Sequence, residues 1–166
     1  MIKMNRNIYL CLLVFISAAL TSCTNPIQEE LLKYLNDELS VLSDLEDEAL
    51  DSYNALVGDD SISDAMMYET MLDVIIPKYR DFNGKLEAIS LTLRTEEVRA
   101  LHELYIEAAN IQYSGMLTML TALEQQDFSI MSQANESIDE GRRLLREFQG
   151  ALQQLASEND VELSGY

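Results

Sequence analysis

From Ile27 to about Ser157 the chain repeats apolar side chains at steps of three and four, the spacing that keeps one face of a helix turned inward. Four segments carry the pattern. In the first, Ile27, Leu31, Leu35, Leu39, Leu42, Leu45, Ala49, Tyr53 and Leu56 share a stripe, which predicts a helix from about Pro26 to Val57. Pro26 suits a first helical turn, Glu29 and Glu30 suit its positive end, and Gly58 suits its stop. Gly58-Asp59-Asp60-Ser61 reads as a turn. The second segment begins near Ile62, with Ser61 and Asp64 as a capping-box-like start. Its stripe is Tyr68, Leu72, Ile75, Tyr79, Phe82, Leu86 and Ile89. Pro77 lies inside it, removing one backbone bond and crowding the preceding turn, so a kink is expected near Val74 to Ile76.

The third segment follows Thr95, a good N-cap, and turns Val98, Leu101, Leu104, Ala108, Ile111, Gly115, Met119 and Ala122 inward. Ala108 and Gly115 are small enough to let a neighbouring helix come close. The fourth follows Asp127 and carries Phe128, Met131, Asn135, Ile138, Leu145, Phe148, Leu152 and Leu155. Four amphipathic helices with short connections predict an all-α fold, an up-down-up-down antiparallel four-helix bundle with its second helix kinked near Pro77. The bundle occupies residues 27–157, and residues 158–166 read as a loose tail. Composition agrees: 48% apolar residues argue against disorder, and 2 Pro and 6 Gly leave few enforced breaks.

The first 22 residues have a different pattern. Lys3 and Arg6 precede an apolar run of 13 residues, Ile8 to Leu20, shorter than the roughly 20 that span a bilayer. Leu20-Thr21-Ser22-Cys23 follows at once and resembles the lipobox of bacterial lipoproteins. That resemblance implies a signal peptide over 1–22, cleavage before Cys23, and lipid on Cys23, with residues 23–26 as a short tether. It further implies a cell-envelope address outside the cytoplasm, held to a membrane through the lipid, and sorting to the outer membrane where the cell has one, given Thr24 after the cysteine. The rest of the chain is similar to uncharacterised helical-bundle lipoproteins, a resemblance of architecture that implies no activity. Two acyl chains make a stable anchor where one is marginal. Cys11 leaves with the signal, so the mature core is expected to hold without a disulfide.

The whole chain carries a net charge of −18, and loss of Lys3 and Arg6 leaves 9 basic and 29 acidic side chains, or −20. Such a surface repels nucleic-acid phosphates and attracts cations or basic partners. Lys78, Arg80, Lys85, Arg94 and Arg99 gather near the turn closest to the anchor, but Asp81, Glu87, Glu96 and Glu97 interleave with them, so the local net is only +1.

Chemistry is sparse. A di-metal carboxylate bundle needs Glu-x-x-His on two helices, and the one histidine, His102, has Arg99 three positions before it. His102 is expected on a helix flank, about 21 Å along the helix from Met116 and unable to share a copper site with it. The acids from Asp59 to Asp64 lack calcium-loop spacing. No nucleophile motif or phosphate loop is present. No catalytic residues, metal or cofactor are expected.

Counting outward from the turns places Met66, Met67, Met71, Met116, Met119 and Met131 in the half far from the anchor. Tyr53, Tyr68, Met71, Met116, Met119 and Asn135 are the candidates for a distal apolar pocket there, since methionine suits adaptable binding surfaces. The preferred reading is ordinary core, with methionine as filler and Asn135 fixing register. The functional expectation is a non-catalytic, membrane-anchored bundle that binds a protein or a small apolar ligand. The alternative is a metal handler or enzyme using the distal methionines and acids.

Overall fold

The computed structural model describes residues 25–58 and 61–163, and all regular structure among them is helical. The proposed signal segment, Cys23, Thr24, the turn residues 59 and 60, and residues 164–166 lie outside the described residues. Four helices follow one another. Helix α1 covers residues 26–57 and is α-helical over Pro26–Lys33 and Ser40–Val57, with a π-helical turn, Tyr34–Leu39, between them. Helix α2 covers residues 64–89 and is built the same way, with Asp64–Thr70, a π-helical turn at Met71–Ile75, and Ile76–Ile89. Helices α3 and α4 are uninterrupted over Glu96–Gln125 and Phe128–Glu158.

Each helix starts where a side-chain oxygen can take the orphan amides of the first turn. Asn25 accepts from Ile27 and Gln28, Thr95 from Val98, and Asp127 from Ser129 and Ile130. In α2 the cap is Ser63, which accepts from Met66, two positions beyond the expected Ser61. Helix α3 ends on Gln126 in the left-handed conformation, φ 52°, and Asp127 at once caps α4.

The π turn in α2 sits directly before Pro77. A proline ring crowds the carbonyl four residues back. Here Ile76 N–H donates instead to Met71, five residues back, in a wider turn. The extra residue shifts the inward face. Ile75 and Ile76 are both buried, Met71 is fully enclosed, and Leu72 is 43% exposed. The expected place of Leu72 on the stripe is therefore corrected. The π turn of α1 does the same for Tyr34 and Leu35, consecutive residues that are both buried.

Helix α4 corrects the expected stripe more widely. Phe128 is 83% exposed and Asn135 is exposed, while Ala134, Ile138, Gly141, Leu144, Phe148, Leu152 and Ala156 are buried. The reason is the close approach of α3. A Cβ on Gly115 would lie 2.7 Å from Ile138 Cγ1 and 3.1 Å from the Ala134 carbonyl. A Cβ on Gly141 would lie 2.3 Å from Gln112 Cγ and 3.0 Å from the Ala108 carbonyl. The contact face is thus set by small residues, which a search for large apolar ones passes over.

The expected loose tail is also corrected up to Leu163. Asn159 and Val161 are buried, and Leu163 packs on the core. Asn25 Nδ2 donates to Asn159 Oδ1 at 2.8 Å and Gln28 Nε2 to the Asp160 carbonyl at 3.2 Å. These bonds tie the start of α1 to the chain leaving α4.

Two glycine substitutions separate packing from helix propensity. Gly141→Ala is expected to cost about 1–3 kcal/mol through overpacking. Gly150→Ala, where an added Cβ meets nothing within 4 Å, is expected to gain about 0.5–1 kcal/mol. Thermal unfolding followed by circular dichroism checks both; a stabilising Gly141→Ala contradicts the close contact.

A groove between the first and fourth helices

Backbone contact of α4 is almost wholly with α3. Between α1 and α4 the seam opens into a groove of about 360 Å³, within the size range of small-molecule sites. Helix α1 contributes Leu39, Ser43, Glu46, Asp47 and Leu50, and α4 contributes Leu145, Phe148, Gln149, Leu152 and Gln153. Tyr105 comes from α3, and Leu163 from the chain after α4. The Tyr105 ring stacks on Phe148, with centroids 4.7 Å apart, so one wall is a fixed aromatic pair.

Glu46 is the chemical anomaly of this lining. It is half-buried, and the Tyr105 hydroxyl donates to its Oε2. Burial pushes the carboxyl above its usual range; the Tyr105 hydrogen bond opposes that, and the neighbouring Asp47 adds to it. Burial likewise raises the Tyr105 phenol, helped by the Glu46 charge, so the hydroxyl stays a donor.

Further polar pairs cross the core. The expected flank position of His102 is corrected: it is fully enclosed. His102 Nε2 lies 3.1 Å from the Leu86 carbonyl, which can only accept, so that nitrogen carries the proton. Nδ1 then accepts from the Tyr34 hydroxyl at 3.0 Å. Burial holds the imidazole below its usual pKa, against smaller opposing effects of the Leu86 bond, Glu38 and Glu103. The Tyr79 hydroxyl donates to Gln112 Oε1 at 2.8 Å, and Asn83 Nδ2 to Asn110 Oδ1 at 3.2 Å.

The residues expected to form a distal pocket have separate fates. Tyr53, Met71, Met116 and Met119 are buried core members, and Tyr68 is half-buried at the core edge. Tyr68 lines a shallow surface hollow with Asp64, Glu69, Leu123 and Gln126, which holds none of the methionines. Asn135 faces solvent because Ala134 takes the contact with α3. None of the six lines the groove.

No protein-family model, curated protein or solved structure matches this chain. The chemistry must therefore be read from the side chains. Among the described residues no three His, Cys, Asp or Glu side chains gather as a metal-holding set. No described helix is long and apolar enough to cross a membrane.

The groove residues carried one legible signal. Leu42 and Ala49 are bridged at steps of three and four by Leu45 and equally by Glu46, but only Glu46 keeps the regular alternation of four and three that runs from Leu35 to Leu56. A glutamate at a seam position marks the site; substituting Leu45 in the stripe hides it.

The raised Glu46 pKa sets a sign. The folded state holds this proton more tightly than the unfolded chain, so the residue's contribution to stability falls as pH rises from the ordinary carboxyl range through the raised value. Glu46→Gln keeps an acceptor for Tyr105 and removes the titration. It is expected to raise Tm at pH 7 and to lose that advantage at pH 4. A lower Tm at pH 7 would contradict the account.

Proposed function

We propose that this protein is a lipid-anchored, non-catalytic binding module of the cell envelope that receives a small apolar ligand in the groove between α1 and α4. The observation that carries the reading is the groove, an opening of about 360 Å³ with six leucine or phenylalanine side chains in its lining. The ligand site therefore moves from the far end of the bundle, where the methionines lie, to the α1–α4 seam.

The anchor reading is supported by Leu20-Thr21-Ser22-Cys23 behind a basic start and a short apolar run. It places the protein outside the cytoplasm, at the outer membrane where the cell has one. We also read the four helices as alternating up and down. Three ends support this: Glu30 of α1 accepts the Arg94 and Thr95 amides at 2.6 Å each, and Asn25 bonds Asn159. The start of α1, the turn before α3 and the end of α4 thus meet at one end. The π turn before Pro77 supports a bend in α2 there.

A non-catalytic role is supported by His102, whose two ring nitrogens are both engaged inside the core. With Cys23 acylated, the mature chain holds no free thiol for covalent chemistry.

Intact-mass analysis of the membrane-extracted protein is expected to show cleavage before Cys23 and a diacylglyceryl adduct on it; an unmodified Cys23 would end the anchor reading. For the groove, the neutral dye Nile red is expected to bind with blue-shifted emission. Gln149→Trp, which puts an indole at the exposed rim, is expected to weaken that binding at least about tenfold. Unchanged binding in that variant would place the dye elsewhere.

A further inference from the structure

We infer that the groove selects an organic cation, a protonated amine on an apolar body. This rests on the groove being the ligand site, as proposed above. Its lining includes two acids, Glu46 and Asp47, and no lysine, arginine or histidine. Six ion pairs form among the described residues, and none involves Glu46. Glu46 Oε2 takes the Tyr105 hydroxyl, while Oε1 has no hydrogen-bond or ion-pair partner among the described residues.

A carboxylate set among apolar groups is costly unless it is both hydrogen-bonded and paired with a positive charge. The protein supplies the hydrogen bond through Tyr105 and leaves the counter-charge unsupplied. A ligand ammonium would complete the set at Oε1, while Leu39, Leu50, Phe148 and Leu152 take an alkyl or aryl body. A neutral amphiphile would gain the apolar contacts and leave the carboxylate alone. An anionic one, such as a fatty acid, would meet two like charges and no donor of opposite sign. The net charge of −18 works in the same direction, since it raises the local concentration of cations. That field is non-specific, whereas the Glu46 contact is a single group at a fixed place, so the two are separable by mutation.

The test uses three probes that share one chain: octylammonium, 1-octanol and octanoate. Each is titrated calorimetrically at pH 7 and 150 mM salt into the chain from Thr24 onward, which contains every residue of the described fold. Octylammonium is expected to bind at least tenfold more tightly than octanol, and octanoate most weakly. Glu46→Gln is expected to bring ammonium and alcohol within about twofold, chiefly by weakening octylammonium at least about fivefold. Asp44→Asn, an equal loss of charge at an exposed position of α1 outside the groove, is expected to keep the preference. Circular dichroism confirms that both variants fold.

Equal affinities for the three probes would overturn cation selection and leave the groove as an apolar site. A preference that survives Glu46→Gln would overturn it too, assigning the effect to general surface charge. Binding of none of the three would overturn the groove reading itself.

Discussion

The structure depends on how closely α3 and α4 approach. At Gly115 and Gly141 the opposite backbone lies within 3.0–3.1 Å of where a Cβ would stand, and Ile138 Cγ1 and Gln112 Cγ occupy the space that a Cβ would need. Close backbones gain dispersion contacts along their length, provided nothing protrudes. Helix α4 is thereby drawn to α3, and its place relative to α1 is left to whatever side chains meet across the remaining seam. There α1 offers Ser43, Glu46 and Asp47 among its leucines. These neither fill the space as leucine would nor bind to α4. The groove is the consequence of a tight pair on one side and a polar interruption on the other.

Two kinds of cohesion hold the helices, and they divide cleanly. The long-range side-chain hydrogen bonds of the core run between α1, α2 and α3: Tyr34 to His102, His102 to Leu86, Tyr79 to Gln112, and Tyr105 to Glu46. Helix α3 is a member of every one. Helix α4 joins instead through glycine, alanine and the stacked ring of Phe148. Buried polar pairs add little net stability but punish a wrong register, because a slipped helix leaves each donor without its acceptor. Apolar packing is less particular about register. On this account the three polar-linked helices form the part of the fold whose register is best specified.

Periodicity was enough to show four helices, most of their limits and nearly all of the α1 face, because large apolar residues at steps of three and four are unambiguous there. It failed where the inward residue was small or polar. Ala134 and Gly141 carry the α4 contact, yet Ala134 and Asn135 fit the steps between Met131 and Ile138 equally well, so spacing alone does not separate them. Leu72 was lost to a π turn, whose extra residue no periodic template of 3.6 contains. The methionines are the ordinary core filling that the sequence favours over a pocket: Met71, Met116 and Met119 are buried. The groove is marked by Glu46, one position after Leu45 of the expected α1 stripe, and by Tyr105, one position after Leu104 of the expected α3 stripe.

Glu46 is where the local rules and the fold disagree most. A leucine there would continue the α1 seam, add apolar burial and remove a carboxyl that burial already disfavours. The chain instead surrounds glutamate with leucines and gives it one hydroxyl from Tyr105, and no lysine or arginine among the described residues pairs with it. Tyr105 is in turn braced by Phe148, so the oxygen that it engages is held by an aromatic pair across two helices. A residue that lowers stability while being positioned this firmly is better explained by what it meets than by what it supports. Among the described residues most of the other acids are exposed to water, where a carboxylate is readily solvated. The one set against leucine and phenylalanine is the one whose charge a visiting ligand would feel.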